Sequence, residues 1–387
     1  MIYLDNAATS YPKPKRVEQA MVNFMNNIGA SPGRSAHRLS QEAGRLIYQT
    51  RENLAQLFKV NDPLRIIFTL NITEALNLAL QGILVPGDGV ITSSMEHNSV
   101  MRPLRDLERK GVKVEIIPCS SRGEFDPESI KKRIKKNTKL IVINHGSNVI
   151  GSILPICQIG EIARKHGILF LVDTAQTAGC YPLDMEKDKI DLLAFTGHKA
   201  LFGPSGTGGL IFGERVNIKK LIPLKRGGTG SWSEFEEQPD FLPDKYESGT
   251  LNAVGIAGLN EGVKFILQEG VDKIHRYELL LTQKLIEGLK NIPEAIVYGA
   301  EKREDRVAVV SFNIQKRLPS EIGLKLDEEY GIMCRIGLHC SPASHKTIGT
   351  FPMGSVRFSL SYFNQWEEIE QALEAVKKIA KEGRKLK

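Results

Sequence analysis

Long apolar runs are missing from this 387-residue chain: none approaches the ~20 residues that a membrane-spanning helix needs. Its start, Met1-Ile2-Tyr3-Leu4-Asp5-Asn6, lacks the basic residues and apolar stretch of a secretory leader. Cysteine is scarce. Cys119, Cys157, Cys180, Cys334 and Cys340 are odd in number, scattered and without metal-ligand spacing, which argues against a disulfide framework or a zinc module. A cytoplasmic protein in a reducing compartment, with no membrane partner and no metal, is the expectation. Internal repeats and low-complexity linkers are absent as well.

Charge is not balanced. A net charge of +7 raises the question of nucleic acid, and Lys131-Lys132-Arg133-Ile134-Lys135-Lys136 is a dense basic run. No aromatic stacking platform or RNA-binding motif accompanies it. It reads as the solvated face of a short helix between Asp126 and Asn137, and the basic stretch from Lys381 to Lys387 reads the same way. No nucleic-acid partner is expected. The glycines of Gly203-Pro204-Ser205-Gly206-Thr207-Gly208-Gly209 precede a strand instead of joining a strand to a helix. With no acidic ribose ligand in context, the dinucleotide fingerprint fails.

What the chain does contain is alternation. Apolar runs at 65–69, 89–93, 112–117, 139–144, 168–172, 191–195 and 208–212 read as strands, with helices in most gaps. Helices are also predicted at 15–27 and 36–58. Several are β-branched apolar runs, as expected for parallel strands covered on both faces. The fold class is α/β: a mostly parallel seven-stranded sheet whose site lies at the strand C-termini. Residues 223–250 read as a long irregular loop. Two helices in 254–290, strands near 295–299 and 307–314, a helix at 319–330, strands near 332–335 and 355–360 and a helix at 365–383 then form an α+β unit. The expected division is a large domain of residues 15–255 and a small α+β domain of 1–14 and 256–387.

Two strand ends carry the chemistry. Asp173 follows Ile168–Val172, and Lys199 follows Leu192–Phe195. A carboxylate and an amine at neighbouring strand ends are what pyridoxal 5′-phosphate (PLP) requires. The amine condenses with the aldehyde, and the acid keeps the pyridine nitrogen protonated. Other strand ends add polar groups. Thr69-Leu70-Asn71-Ile72-Thr73 opens a helix and either binds an anion or merely caps it. His97 either stacks on a flat ring or is structural. Asn148 either contacts a ligand or makes a turn, and Gln176 lies within reach of a phenolic oxygen. Five successive strand ends thus offer groups suited to one flat anionic ligand.

Tyr3-Leu4-Asp5-Asn6-Ala7-Ala8-Thr9, Thr73-Glu74-Ala75, Glu96-His97, Ser147-Asn148-Val149-Ile150-Gly151, Val172-Asp173-Thr174-Ala175-Gln176 and Gly197-His198-Lys199 occur in this order. Together they resemble the cysteine desulfurases and selenocysteine lyase-like enzymes of the class V aminotransferase family, PLP enzymes of fold type I. The resemblance spans essentially the whole chain. It implies Lys199 as the Schiff-base lysine, Asp173 as the pyridinium partner and His97 as the stacking residue. Asn148 and Gln176 are implied near the phenolic oxygen, with Ile72, Thr73, Thr196 and His198 around the phosphate. Thr250 resembles a residue donated to a neighbouring subunit's phosphate, which implies a homodimer. Relatives usually carry Gly where this chain has Asn71.

Cys340 sits in Arg335-Ile336-Gly337-Leu338-His339-Cys340, followed by Ser341 and Pro342, a stretch that reads as loop. Arg335, His339, His345 and Lys346 are near enough in sequence to favour its thiolate, the nucleophilic form. The other four cysteines read as inert filler. Arg357 alternates with apolar residues on a strand, where it needs an anion: a substrate carboxylate, or a structural partner. The resemblance implies the first, with Asn148 beside it. The expected activity is conversion of L-cysteine to L-alanine, with a persulfide on Cys340 passed to an acceptor protein or thiol. Selenocysteine lyase and a C–S lyase or aminotransferase of the same family are the alternatives. The segment after Cys340 is unlike that of the best-known desulfurases.

Overall fold

A computed structural model of the chain describes all residues except 34, 301–305 and 383–387. Most of the basic C-terminal stretch therefore lies outside the described residues. Among those described, no helix is long and apolar enough to cross a membrane.

Strands β1 (Ile2–Tyr3), β2 (Ile66–Thr69), β3 (Gly89–Ser93), β4 (Lys113–Ile117), β5 (Thr138–Asn144), β6 (Leu169–Asp173), β7 (Leu192–Thr196) and β8 (Gly208–Phe212) come first. β9 (Ala295–Tyr298), β10 (Val309–Ile314), β11 (Ile332–Met333), β12 (Arg335–Gly337) and β13 (Ser355–Ser359) follow the long loop. The main helices are α1 (Lys15–Asn23), α2 (Arg38–Phe58), α3 (Ile72–Ile83), α4 (Asn98–Arg109), α5 (Glu128–Lys131), α6 (Ile156–Lys165), α7 (Ala253–Glu269), α8 (Val271–Lys290), α9 (Pro319–Tyr330), α10 (Pro342–Thr347) and α11 (Trp366–Glu382).

Seven strands form one sheet in the order β2-β8-β7-β6-β5-β3-β4. All run parallel except β8, which is antiparallel to both neighbours. Successive side chains of a strand face opposite sides, so each strand feeds two cores. Ile141, Ile143, Phe170, Val172, Leu193 and Phe195 pack under α2, α6 and α7. Leu140, Val142, Leu171, Leu192 and Ala194 pack under α3 and α4. This two-sided burial is why the central strands carry continuous apolar runs instead of alternating.

A second, antiparallel sheet runs β12-β13-β10-β9, and β1 pairs in parallel with β11. Its core joins Val310, Phe312, Val356 and Phe358 to Leu281, Leu285, Ile322, Ile369 and Val376 of α8, α9 and α11. The N-terminal segment ties this sheet to the larger one. Leu4 N–H donates to Met333, Asn6 Nδ2 to the Ser359 carbonyl, and Ser10 N–H to the His198 carbonyl beside Lys199.

Two sequence expectations need correction. The basic run does not lie along a helix; α5 is a single turn ending at Lys131. Three of its five charges are answered locally, by Lys131–Glu128, Arg133–Glu115 and Lys135–Glu115 ion pairs. The helix predicted to 27 gives way at Phe24 to a wider π turn that closes on Gly29, whose φ is +55°.

Candidate active site

The C-terminal ends of β2, β3, β5, β6 and β7 open on one edge of the large sheet. Asp173 is the last residue of β6, buried, with Oδ1 accepting the Ala175 N–H at 2.9 Å. Burial pushes its carboxyl above the ordinary range, while Ala175 N–H and the nearby charge of Lys199 pull it back. Lys199 follows β7 by three residues. Burial lowers its amine to about 8, against the pull of Asp173. Among the described residues the two form no ion pair within 4 Å, so each feels the other's charge across a gap.

The turn after β2 meets α3 at Asn71, whose Oδ1 caps the helix by accepting Glu74 N–H at 3.0 Å. Asn71 has φ −172°, an extended backbone any residue adopts, so the glycine usual in relatives is not required. Ile72 is buried and Thr73 exposed at this helix start. Thr196 is buried with its hydroxyl 3.5 Å from the Thr207 carbonyl. His198 has a buried, unpartnered Nδ1. Thr250 lies apart, exposed in a surface hollow shared with Leu70, Glu74 and Lys225.

His97 is the N-cap of α4: its Nδ1 accepts Ser99 N–H at 3.1 Å, which leaves the proton on Nε2. Burial, then Lys199 and Arg335, lower it to about 4, so the ring is neutral. Asn148 donates Nδ2–H to the His339 carbonyl at 2.7 Å, and its buried Oδ1 has no partner. Gln176 is committed to the Ala7 carbonyl at 3.1 Å.

Cys340 comes from the other sheet. Ser341 N–H closes a tight turn on the Leu338 carbonyl at 2.8 Å. Its central residues, His339 and Cys340, have φ +48° and +57°. Both positive angles are costly for residues with a Cβ, about 1–3 kcal/mol each, so other contacts must hold them. They do: Asn98 N–H donates to the Cys340 carbonyl at 2.9 Å, and Ser341 Oγ to the Glu96 carbonyl at 2.8 Å. Ser344 Oγ donates to the Met95 carbonyl at 3.0 Å. The cysteine turn is thereby fastened to the segment 95–98 that carries His97.

The thiol of Cys340 is exposed, and Arg335 Nη2 approaches its sulfur at 3.8 Å. His339 and His345 do not help as the sequence suggested. Burial lowers them to about 2 and about 4, so neither is a cation near neutral pH. Lys346 instead sits over the Phe351 ring. Burial raises Cys119 to about 11 and Cys334 to about 12, and holds Cys157 and Cys180 above the ordinary range, all unreactive thiols.

Arg357, on β13, is buried beside this turn. Nη2 meets Asp5 Oδ1 at 2.6 Å and Nη1 the Asn148 carbonyl at 2.9 Å. The Asp5 contact joins residues 352 positions apart and has no local signature in the sequence. Glu96 was missed as well: fully buried, it accepts Ser93 Oγ–H at 2.5 Å and Asn144 N–H at 3.0 Å, and burial lifts it to about 8.

The model of the family described as Aminotransferase class-V matches residues 2–372. A probable cysteine desulfurase of Pyrococcus abyssi is 35% identical over 98% of this chain and 94% of its own length. One from Methanothermobacter thermautotrophicus is 33% identical over 99% and 95%. The solved apo structure of a cysteine desulfurase from Thermococcus onnurineus superposes with a TM-score of 0.91, at 33% identity and coverage of 98% and 94%.

Proposed function

This chain belongs to the class V aminotransferase family, and we propose that it is a PLP-dependent L-cysteine desulfurase working as a cytoplasmic homodimer. One observation carries the reading. Of the five cysteines only Cys340 is exposed, and its turn is fastened by hydrogen bonds to the strand end that bears His97.

The residues present fit PLP. Lys199 and Asp173 face each other across a gap without pairing, and buried polar atoms at Asn148 Oδ1 and His198 Nδ1 lack partners. When bound, the cofactor would supply an aldehyde for the substrate amine and a protonated ring that withdraws electrons from Cα. Asp173 would hold the ring nitrogen's proton and the neutral His97 would lie on the ring. Gln176 and Asn148 would sit at the phenolic oxygen, and Ile72, Thr73, Thr196 and His198 at the phosphate. Thr250, exposed, would reach the phosphate of a second copy.

Arg357 holds the substrate α-carboxylate, with Asn148 beside it. Lys199, lowered to about 8, is partly free amine near neutral pH and takes the Cα proton. The Cys340 thiolate attacks the substrate sulfur: a S–S bond forms, the Cβ–S bond breaks, and its electron pair stays on Cβ. Protonation there, and return of a proton from Lys199 to Cα, give L-alanine, and the persulfide on Cys340 passes to an acceptor thiol.

The test is mass spectrometry of the holoenzyme after L-cysteine, with Cys340→Ser alongside. The expected result is one added sulfur on Cys340 with released alanine, both lost in the variant while its bound cofactor remains. Alanine without sulfur on Cys340, or equal turnover in the variant, overturns the reading.

A further inference from the structure

The guanidinium of Arg357 is engaged on two of its three nitrogens within the chain itself. Asp5 Oδ1 takes Nη2 at 2.6 Å and the Asn148 carbonyl takes Nη1 at 2.9 Å. Nε is buried and has no partner. Arg335 is the cross-strand neighbour of Arg357, so two like charges stand directly opposite each other. Asp5 supports the charged form of Arg357, whereas Arg335 opposes it.

Asp5 is in turn held by its own backbone. The neighbouring Leu4 N–H donates to Met333, Ser359 N–H donates to the Leu4 carbonyl, and Asp5 bridges to Ser359 on β13. A rigid carboxylate therefore meets a buried fork from one side while a main-chain carbonyl meets it from another. The guanidinium is planar, so fixing both Nη atoms also fixes the direction in which the Nε edge points.

We infer that Asp5 is a positioning residue for substrate recognition: it clamps Arg357, offsets the charge of Arg335, and leaves the Nε edge free to receive the substrate α-carboxylate. The inference rests on the assignment of Arg357 to that carboxylate. Asp5 itself does not touch the substrate. Its loss weakens binding and leaves the conversion of bound substrate largely intact, because pre-organisation is an affinity term.

Asp5→Asn keeps the shape and the Oδ1 acceptor but removes the charge, and Asp5→Glu keeps the charge one methylene out of place. Both are compared with the parent as holoenzymes, by L-cysteine kinetics and by spectral titration with L-alanine, which reports binding without turnover. For Asp5→Asn, KM for L-cysteine and Kd for L-alanine rise about tenfold, and kcat stays within about twofold. Bound-cofactor absorbance and thermal midpoint match the parent. Asp5→Glu falls between the two, and carries the test if the Asn variant does not fold. Unchanged KM and Kd, or a fall in kcat with KM preserved, overturns the inference. A parent enzyme that releases no alanine from cysteine defeats the desulfurase reading instead, and the L-alanine titration still reports on the clamp.

Discussion

Replacing Ser341 and Ser344 together by alanine attacks the fastening of the Cys340 turn without touching the thiol. Ser341 Oγ donates to the Glu96 carbonyl at 2.8 Å and Ser344 Oγ to the Met95 carbonyl at 3.0 Å, and the two hydroxyl oxygens lie 2.6 Å apart. Both serines are buried. Each hydroxyl-to-carbonyl bond contributes about 1 kcal/mol net, so losing both weakens docking of the turn by about 2 kcal/mol, or roughly thirtyfold. The Asn98 N–H, donated to the Cys340 carbonyl, reports docking directly. Its hydrogen-exchange protection falls by about that roughly thirtyfold factor, and single-turnover formation of persulfide slows while cofactor absorbance is unchanged. Protection of Asn98 within about threefold of the parent would refute the idea that these hydroxyls seat the nucleophile.

Glu96→Gln tests a buried acid. Glu96 is neutral in the folded chain up to about pH 8, whereas its unfolded carboxyl ionises from 4.5. Its stabilising contribution is thus intact below pH 4.5 and lost as pH rises to about 8. The non-titrating variant should gain on the parent across that window, by on the order of 4 kcal/mol, in urea denaturation at pH 5 and pH 8. A pH-independent difference contradicts the assignment. Glu247→Ala strands Arg51, whose Nη2 meets Glu247 Oε2 at 2.6 Å with both side chains buried. It should cost about 3–5 kcal/mol in the same measurement, and the double change to Met and Leu should recover most of it. Arg335→Met removes the cation 3.8 Å from the Cys340 sulfur. Alkylation of Cys340 at one fixed pH should then slow, and Arg335→Lys should lie between; an unchanged rate rejects Arg335 as a contact that supports the reactivity of this sulfur.

The strands of the large sheet were legible because most are buried on both faces and carry continuous apolar runs; the edge strand β4, with Lys113 and Glu115, is the exception. Their edges fell within two residues of the predicted runs. The direction of β8 was not legible: Gly208-Gly209-Leu210-Ile211-Phe212 reads the same parallel or antiparallel. Nor was the division of 332–337 into two strands, since Ile332 pairs with Ile2 and Arg335 with Arg357, far away in each direction. Lys199 and Asp173 were visible because strand-end chemistry is local. Asp5 was not, since its partner lies 352 residues on. The histidines beside Cys340 misled for a related reason. Nearness in sequence suggested positive charge, and burial in the fold removes it.

That removal has a consequence for the whole site. His97, His198 and His345 fall to about 4 and His339 to about 2, so all four are uncharged from pH 5 upward. The positive charge that remains near these rings belongs to Arg102, Arg335, Arg357, Lys13 and Lys199. Four imidazoles at their ordinary value would have swung the local charge as pH crossed 6.5, taking anion affinity with it. With them neutral, the groups that burial brings to about 8 are the amines of Lys199 and Lys13 and the carboxyl of Glu96. An amine at its usual 10.5 would be almost wholly protonated near neutrality. Burial lowers Lys199 against the pull of both Asp173 and Asp5, which leaves part of it as free base at neutral pH.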